Sequence, residues 1–321
     1  MKLVVQIPCL NEARTLPSVV ERIPRIIPGF DSVEIIVIDD GSDDGTADIA
    51  RSLGVDAVIR HRTTRGLAEA FRSGMDYALT HGADVIVNTD GDNQYPQQDI
   101  ARLVEPIVAG RADIAIGDRR THKISHFSPA KKALQWFGSR VVSRAAGIKV
   151  PDAGSGFRAY SRIAAIKLNL VTKYSYTMET IIQAGYKHLA VEFLPISTNA
   201  KTRESRLFRS TPEHVVKSAA AIIRSLLMYR PYSFFIPLGT VLLLGGLIPF
   251  GRFVWTRIFD IPGEFIQSLL LGVSLLVASL LAFVLGVIAD LIKINRQLIE
   301  DTLALQKAHQ DQQSLSELDR D

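Results

Sequence analysis

Asp90 and Asp92 stand one residue apart in the stretch DVIVNTDGDNQYP, at the end of an apolar run. Carboxylates held that close disfavour each other's ionisation unless a cation intervenes. A divalent metal shared with an anionic, hydroxyl-rich ligand would resolve the conflict. Other acids occupy comparable places: Glu12 in IPCLNEA, and Asp39 and Asp40 in VIDDGSDDGT. A turn reading competes, because Asp and Gly favour tight turns. It suits Asp43 and Asp44 and stays open for the others. An EF-hand calcium loop needs Gly at its sixth position and Glu at its twelfth; counted from Asp90 these are Tyr95 and Ala101, so that reading fails. No G-x-G-x-x-G follows the first apolar run and no G-x-x-x-x-G-K-[ST] occurs. Glycine loops therefore do not cradle phosphate here. A metal held by the carboxylates would have to neutralise it.

The elements that must position these acids can be read from periodicity. Short apolar runs at 3–8, 33–39, 56–59, 84–89, 113–117 and 189–196 predict strands. Between them, apolar residues recur at three- and four-residue steps, as in Leu67, Ala70, Phe71, Gly74, Met75 and Ala78. Strands alternating with helices predict an α/β fold, a mostly parallel sheet with helices on both faces. In such a sheet the carboxyl ends of the strands share one edge, where ligands bind. The acids following the first, second and fourth strands should therefore converge.

Composition changes after about residue 230. Residues 233–250 and 265–289 contain no charge. At about 1.5 Å per residue the shorter run spans roughly 27 Å, close to a bilayer core of about 30 Å. The expected organisation is a catalytic domain at 1–210, an amphipathic interfacial helix at 211–230, a transmembrane hairpin at 231–292 with spans near 232–251 and 265–289, and a polar tail at 293–321. Basic residues flank the hairpin, including Lys201, Arg203, Arg206, Lys293 and Arg296. That bias predicts a multi-pass cell-membrane protein with its catalytic domain and both termini cytoplasmic. No charged stretch, apolar core and small-residue cleavage site open the chain, so no cleavable export signal is expected.

The chain has 321 residues, 47% of them hydrophobic, and a net charge of +4. Positive charge gathered beside the apolar segments argues for membrane and phosphorylated partners and against nucleic acid. Cys9 is the single cysteine, so no intramolecular disulfide forms and no metal spacing arises from thiols.

PCLNEARTL, VIDDGSDDGT, RGLAEAFRSGMDYA, TDGDNQYP and PDAGSGFRAY, in that order over about residues 1–210, resemble the family-2 inverting glycosyltransferases. Within them, the chain is similar to the branch that includes dolichyl-phosphate mannose synthase and the bacterial polyprenyl-phosphate glycosyltransferases. The resemblance implies a GT-A fold, a nucleotide-sugar donor, Mg²⁺ or Mn²⁺, and a polyprenyl phosphate acceptor (undecaprenyl or dolichyl). It places the metal at Asp90, Asp92 and Gln94, with Asp92 also catalytic. Pro8, Asn11, Glu12, Asp39, Asp40, Arg65 and Asp90 fall on the nucleotide-sugar side. Arg119, Lys132, Ser139, Arg158 and Arg206 fall on the acceptor-phosphate side, and Asp152 takes the position that some schemes call a base. Two departures stand out. Gly91 replaces the usual Ala or Pro between the metal acids, and TRESR stands where Gly-x-Ser-Lys is common.

A polyprenyl phosphate has a second pKa of about 6 and is already a dianion near pH 7. Base help, elsewhere worth about 10²–10⁴-fold, is then largely unnecessary. Asp152 is expected to orient, and Asp152→Asn to keep more than about a tenth of the rate. The alternatives carried beside this reading are transfer to another lipid hydroxyl and a non-enzymatic membrane adaptor with a degenerate site. A homo-oligomer is compatible with all three.

Overall fold

A computed structural model describes residues 1–121, 129–170, 176–199, 220, 223–224, 227–263 and 265–318. Seven strands form one sheet: β1 (Lys2–Cys9), β2 (Ser32–Asp39), β3 (Ala57–Arg60), β4 (Val85–Asn88), β5 (Ile114–Asp118), β6 (Arg158–Ser161) and β7 (Val191–Pro195). Their order is β3-β2-β1-β4-β6-β5-β7. All neighbours pair in parallel except at β6, which runs against both β4 and β5. The described helices among the strands are α1 (Leu16–Val20), α2 (Thr46–Ser52), α3 (Leu67–Thr80), α4 (Ile100–Val108), α5 (Pro129–Ala146), α6 (Arg162–Lys167) and α7 (Tyr176–Tyr186).

The near-continuous Val/Ile runs become strands covered on both faces. One face buries Leu3, Val5, Ile7, Ile35, Val37, Val85 and Val87 with Leu16 and Val19 of α1 and Ile100, Leu103, Val104 and Ile107 of α4. The other face is equally closed, with Val4, Gln6, Ile36, Ile38 and Ile86 fully buried. There α3 lies so near that a Cβ on Gly74 would run into the Gln6 carboxamide and sit 2.8 Å from Ile38 Cδ1. Phe71 of α3 stacks on Tyr176 of α7, with ring centroids 4.0 Å apart.

The register aligns Cys9 with Asp39 at the tips of β1 and β2, and Gln6 with Asn88 at the tip of β4. The antiparallel β6 starts opposite the end of β4, since Asn88 pairs with Arg158. The segment feeding β6 therefore reaches the same edge that the parallel strands leave.

Residues 223–299 form a second compact unit. It holds α8 (Tyr232–Ile258) and the membrane-length part of α9 (Ile266–Leu318). Within 232–258 and 266–303, 18-residue stretches reach a mean hydropathy of 2.0 and 2.7, and 11% and 22% of those stretches are buried. A soluble core helix of that apolarity would be covered, so these helices suit a membrane-associated chain. They approach through small residues, as helices in lipid do. Ser279 donates a hydrogen bond of 2.8 Å to the Gly239 carbonyl. A Cβ on Gly239 would lie 2.7 Å from the Phe283 ring, and one on Gly272 would lie 2.7 Å from Phe250 N. Most of the expected interfacial helix, residues 211–230, lies outside the described residues.

Candidate active site

The tips of β1, β2 and β4 bring their acids together. Cys9 marks the centre: burial first, then the charges of Asp39, Asp90, Asp44 and Asp92, push its thiol far above the ordinary range. The β1–α1 turn is closed by its neighbours. Asn11, at φ 57°, accepts a hydrogen bond from Asp43 N and donates its own N–H to Ser42 Oγ. Glu12 is buried, its N–H bonded to Thr46 Oγ1 and its carboxylate accepting from Thr15 Oγ1. Asp44 binds Thr46 and Ala13 N, the structural turn role foreseen for it. Pro8 is buried within β1.

Asp39 is completely buried. Its Oδ1 accepts from Ser42 N at 3.0 Å, while Oδ2 has no hydrogen-bond donor. Arg60 Nε stands 3.2 Å from Oδ2 but outside the hydrogen-bonding direction. An unsatisfied buried carboxylate oxygen is costly. Asp39 Oδ2 is thus paired with Arg60 by charge and accepts no protein hydrogen bond.

Asp40 differs from expectation. Both its oxygens are occupied, Oδ1 by His61 Nδ1 at 2.7 Å and Arg65 N at 2.9 Å, and Oδ2 by Gly66 N at 2.8 Å. It clamps the 61–66 loop through these bonds, with the Arg65 side chain exposed. His61, which bridges Asp40 to Ser73 Oγ at 3.0 Å, was not singled out from sequence, since a single histidine after a strand carries no spacing signal.

Buried β4 leads through Thr89 to Asp90 and Asp92. Burial, and then the charge of Asp92, raise the Asp90 carboxyl to about 7, against the opposing pull of Arg119 and Arg158. Burial also raises Asp92, against hydrogen bonding and the charge of Arg119. Gly156 lets the following loop approach: a Cβ there would sit 3.0 Å from both Asp90 oxygens and 2.9 Å from Tyr176 Oη. Gln94 donates to Asp92 from N at 3.2 Å and from Nε2 at 2.8 Å. Its amide nitrogen steers that carboxylate, while the metal-ligand expectation concerns its carbonyl oxygen.

These two carboxylates suit a hard divalent cation. Their raised affinity for protons comes from burial and mutual repulsion, which a cation relieves. Among the described residues no cluster of three or more His, Cys, Asp or Glu could hold a metal. Two protein carboxylates leave the remaining positions to phosphate oxygens and water, as Mg²⁺ prefers.

Arg119 and Asp152 form a bidentate pair, Nε to Oδ2 at 2.7 Å and Nη2 to Oδ1 at 2.9 Å. Arg119 N and Gly154 N add to it. Burial alone would raise the Asp152 carboxyl, but the Arg119 charge and these hydrogen bonds hold it below the ordinary carboxylate range. It is a poor proton acceptor and a firm anchor for Arg119.

Arg158 is a correction. It is completely buried, with Nε donating to Ser155 O, Nη1 to Thr177 O and Thr180 Oγ1, and Nη2 to Ala153 O. Its guanidinium ties the Asp152 loop to α7 and has no face for an acceptor phosphate. Ser139, also buried, accepts from Ala153 N at 3.1 Å and holds the same loop to α5. Lys132 is partly exposed on α5. Arg206, Lys201 and Arg203 lie outside the described residues.

An α/β sheet with paired acids at the tip of its fourth strand is the GT-A arrangement. Glucosyl-3-phosphoglycerate synthase from Mycobacterium tuberculosis, solved with Mn²⁺, UDP and glucosyl-3-phosphoglycerate, has this fold. Its TM-score is 0.52 at 23% identity, covering 70% of this chain and 78% of that one. The family model "Glycosyl transferase family 2" matches residues 4–168, and the chain belongs to that family; it is a glycosyltransferase. Undecaprenyl-phosphate mannosyltransferase of Micrococcus luteus is 32% identical over 184 residues, 55% of this chain and 74% of the relative. Polyprenol monophosphomannose synthase of Mycolicibacterium smegmatis is 35% identical over 180 residues, 52% of this chain. The match spans 64% of that relative, just under two thirds of its length.

Proposed function

We propose that the protein transfers a sugar, with inversion, from a nucleotide-sugar donor to a polyprenyl phosphate at the cytoplasmic membrane face. The observation that carries this reading is the half-buried Asp90–Asp92 pair, whose raised carboxyls await a cation at the edge where the Asp152 loop arrives. The names of the relatives supply the acceptor class.

Asp39 accepts a donor N–H or O–H at its open Oδ2. Asp90 and Asp92 would hold Mg²⁺ or Mn²⁺ with the donor diphosphate, Asp92 being oriented by Gln94. When bound, the metal supplies Lewis-acid charge that offsets the negative charge building on the leaving phosphate oxygen. Arg119, fixed by Asp152, offers its positive charge to the acceptor phosphate. A phosphate oxygen attacks the anomeric carbon from the face opposite the diphosphate, and the bonding pair of the old C–O bond leaves with the nucleoside diphosphate. No proton has to be removed from a dianionic acceptor, which agrees with an Asp152 held ionised in its ion pair.

The working organisation is a catalytic unit at 1–210, an interfacial segment at 211–230, a hairpin at 231–292 and a cytoplasmic tail. The hairpin has a physical task, because lifting a polyprenyl tail from lipid costs about 0.8 kcal/mol per CH₂. The enzyme must come to the lipid phosphate.

The test supplies membranes containing the protein with labelled nucleotide sugars and a polyprenyl phosphate. Label should enter an organic-extractable product, and chelation or Asp92→Ala should abolish it. Full turnover by Asp92→Ala would overturn the assignment.

A further inference from the structure

The loop that carries the paired acids is held by a residue from the far side of the sheet that the chemistry above does not use. Just past β7 the chain is firmly anchored. Ile196 is buried, its N–H donates to Asp118 O at 2.9 Å, and a Cβ on Gly117 would lie 2.7 Å from its Cδ1. Three residues on, Asn199 reaches the loop that follows β4. Its backbone N–H donates to Gln94 O at 3.0 Å. Its Nδ2 donates to Asn93 O at 2.9 Å and to Tyr95 O at 3.3 Å, an oxygen shared with Gln97 Nε2 at 3.2 Å. Three successive carbonyls, 93 to 95, thus accept from one residue.

The loop needs such an outside brace. Asn93 sits in the left-handed region at φ 59°, a conformation that non-glycine residues keep where their surroundings impose it. Its own side chain does not impose it: among the described residues the buried Asn93 Oδ1 has no hydrogen-bond partner. Gln94 is gripped at both ends, its O by Asn199 and its N and Nε2 by the Asp92 carboxylate at 3.2 and 2.8 Å.

We infer that Asn199 is a positioning residue for the metal acid Asp92 and acts through the Gln94 backbone. Two amide hydrogens and one backbone N–H match three carbonyls, so the residue type fits the task. Partners that orient a ligating carboxylate alter metal affinity by about 10–100-fold when removed. The inference deepens the proposed function and rests on its assignment of the cation to Asp90 and Asp92.

The test titrates the full-length protein in detergent with Mn²⁺ alone and counts the free ion from its EPR signal. Asn199→Ala should weaken binding about tenfold. Asn199→Leu, which restores volume without donors, should weaken it as much, at temperatures well below the melting point of each variant. Wild-type affinity in Asn199→Leu would overturn the inference, because the residue would then merely fill space. Wild-type affinity in both variants, with Asp92→Ala still losing Mn²⁺, would overturn it and leave the metal assignment standing. Binding that Asp92→Ala leaves unchanged would remove both. A contact that strengthens metal binding is itself strengthened by the metal. Mn²⁺ should therefore slow hydrogen exchange at the Asn199 amide of the unaltered protein, which decides the matter even if a variant fails to fold. Exchange there that ignores Mn²⁺ would also overturn the inference.

Discussion

Gly91→Ala puts the geometry of the paired acids to a direct test. An added Cβ would lie 2.8 Å from Cys9 Sγ, 3.2 Å from Glu12 Cγ and 3.4 Å from Glu12 Cβ. Comfortable carbon contacts are about 3.5–4.0 Å, so the Asp90–Asp92 turn must retreat by roughly 1 Å. Overpacking of that kind costs about 1–3 kcal/mol of stability. A displacement near 1 Å at reacting groups costs about 10²-fold in turnover. Gly91→Ala should therefore lose about two orders of magnitude in kcat/KM, with a raised metal requirement and a lowered melting temperature. Cys9→Ala removes the obstructing sulfur, so Cys9→Ala/Gly91→Ala should recover most of the loss, a coupling of about 1–2 kcal/mol in a double-mutant cycle. The measurements are steady-state kinetics with metal titration, and thermal melts of each variant. A fully active Gly91→Ala, or a double variant no better than Gly91→Ala alone, would refute the reasoning. The thiol also explains the glycine: position 91 has no room for a side chain while position 9 is cysteine.

Asp152→Asn exchanges a carboxylate accepting from Arg119 and Gly154 for an amide. It removes the charge paired with the half-buried Arg119 guanidinium, a loss of about 1.5–3 kcal/mol for a charge-assisted hydrogen bond. Thermal melts should show that loss, and the rate should fall further than expected for an orienting residue, while the pH–rate profile keeps its shape; loss of a limb from that profile would reinstate Asp152 as a base. The Asp90 carboxyl, raised to about 7, makes the metal-free protein pH-sensitive. Because its folded pKa exceeds the ordinary value of about 3.9, proton binding favours the folded state, and stability should decline from about pH 4 to about pH 7. Asp90→Asn should flatten that slope in metal-free denaturant titrations. Gly185→Ala would drive a methyl into the Ala146 carbonyl, separating α7 from α5; a drop in melting temperature should appear without a change in donor KM.

Six of the seven strands were legible because each is a run of Val, Ile or Leu long enough to stand out. The missing one, β6, reads RAYS, and an arginine at its start hides a four-residue strand from any apolar count. Convergence of Glu12, Asp39, Asp90 and Asp92 follows from parallel topology and needed no side-chain detail. Their division of labour did not follow. Asp39 and Asp40 are neighbours of the same type, yet one keeps an open oxygen while the other is consumed by backbone N–H groups folding back from 65 and 66. Arg158 was misread for a related reason: apart from Thr180 Oγ1, its partners are carbonyls from 153, 155 and 177, which carry no signature in side-chain identity. Resemblance marked Asp152 as important, and only the ion pair with Arg119 shows in what way.

The reversed strand has one more consequence. Gly117 N donates to Phe157 O at 2.9 Å, so the chain leaves β5 and re-enters β6 at adjoining points. Everything from 119 to 157, including Arg119, α5 and Asp152, is one excursion with its two ends fastened together. Its far end stays tied to β4, because Gly156 O accepts from Asn88 Nδ2 at 2.9 Å and Gly156 N donates to Tyr95 Oη at 2.9 Å. Under the proposed function, grafting this excursion between relatives should alter recipient preference only where residues 156 and 157 keep those contacts.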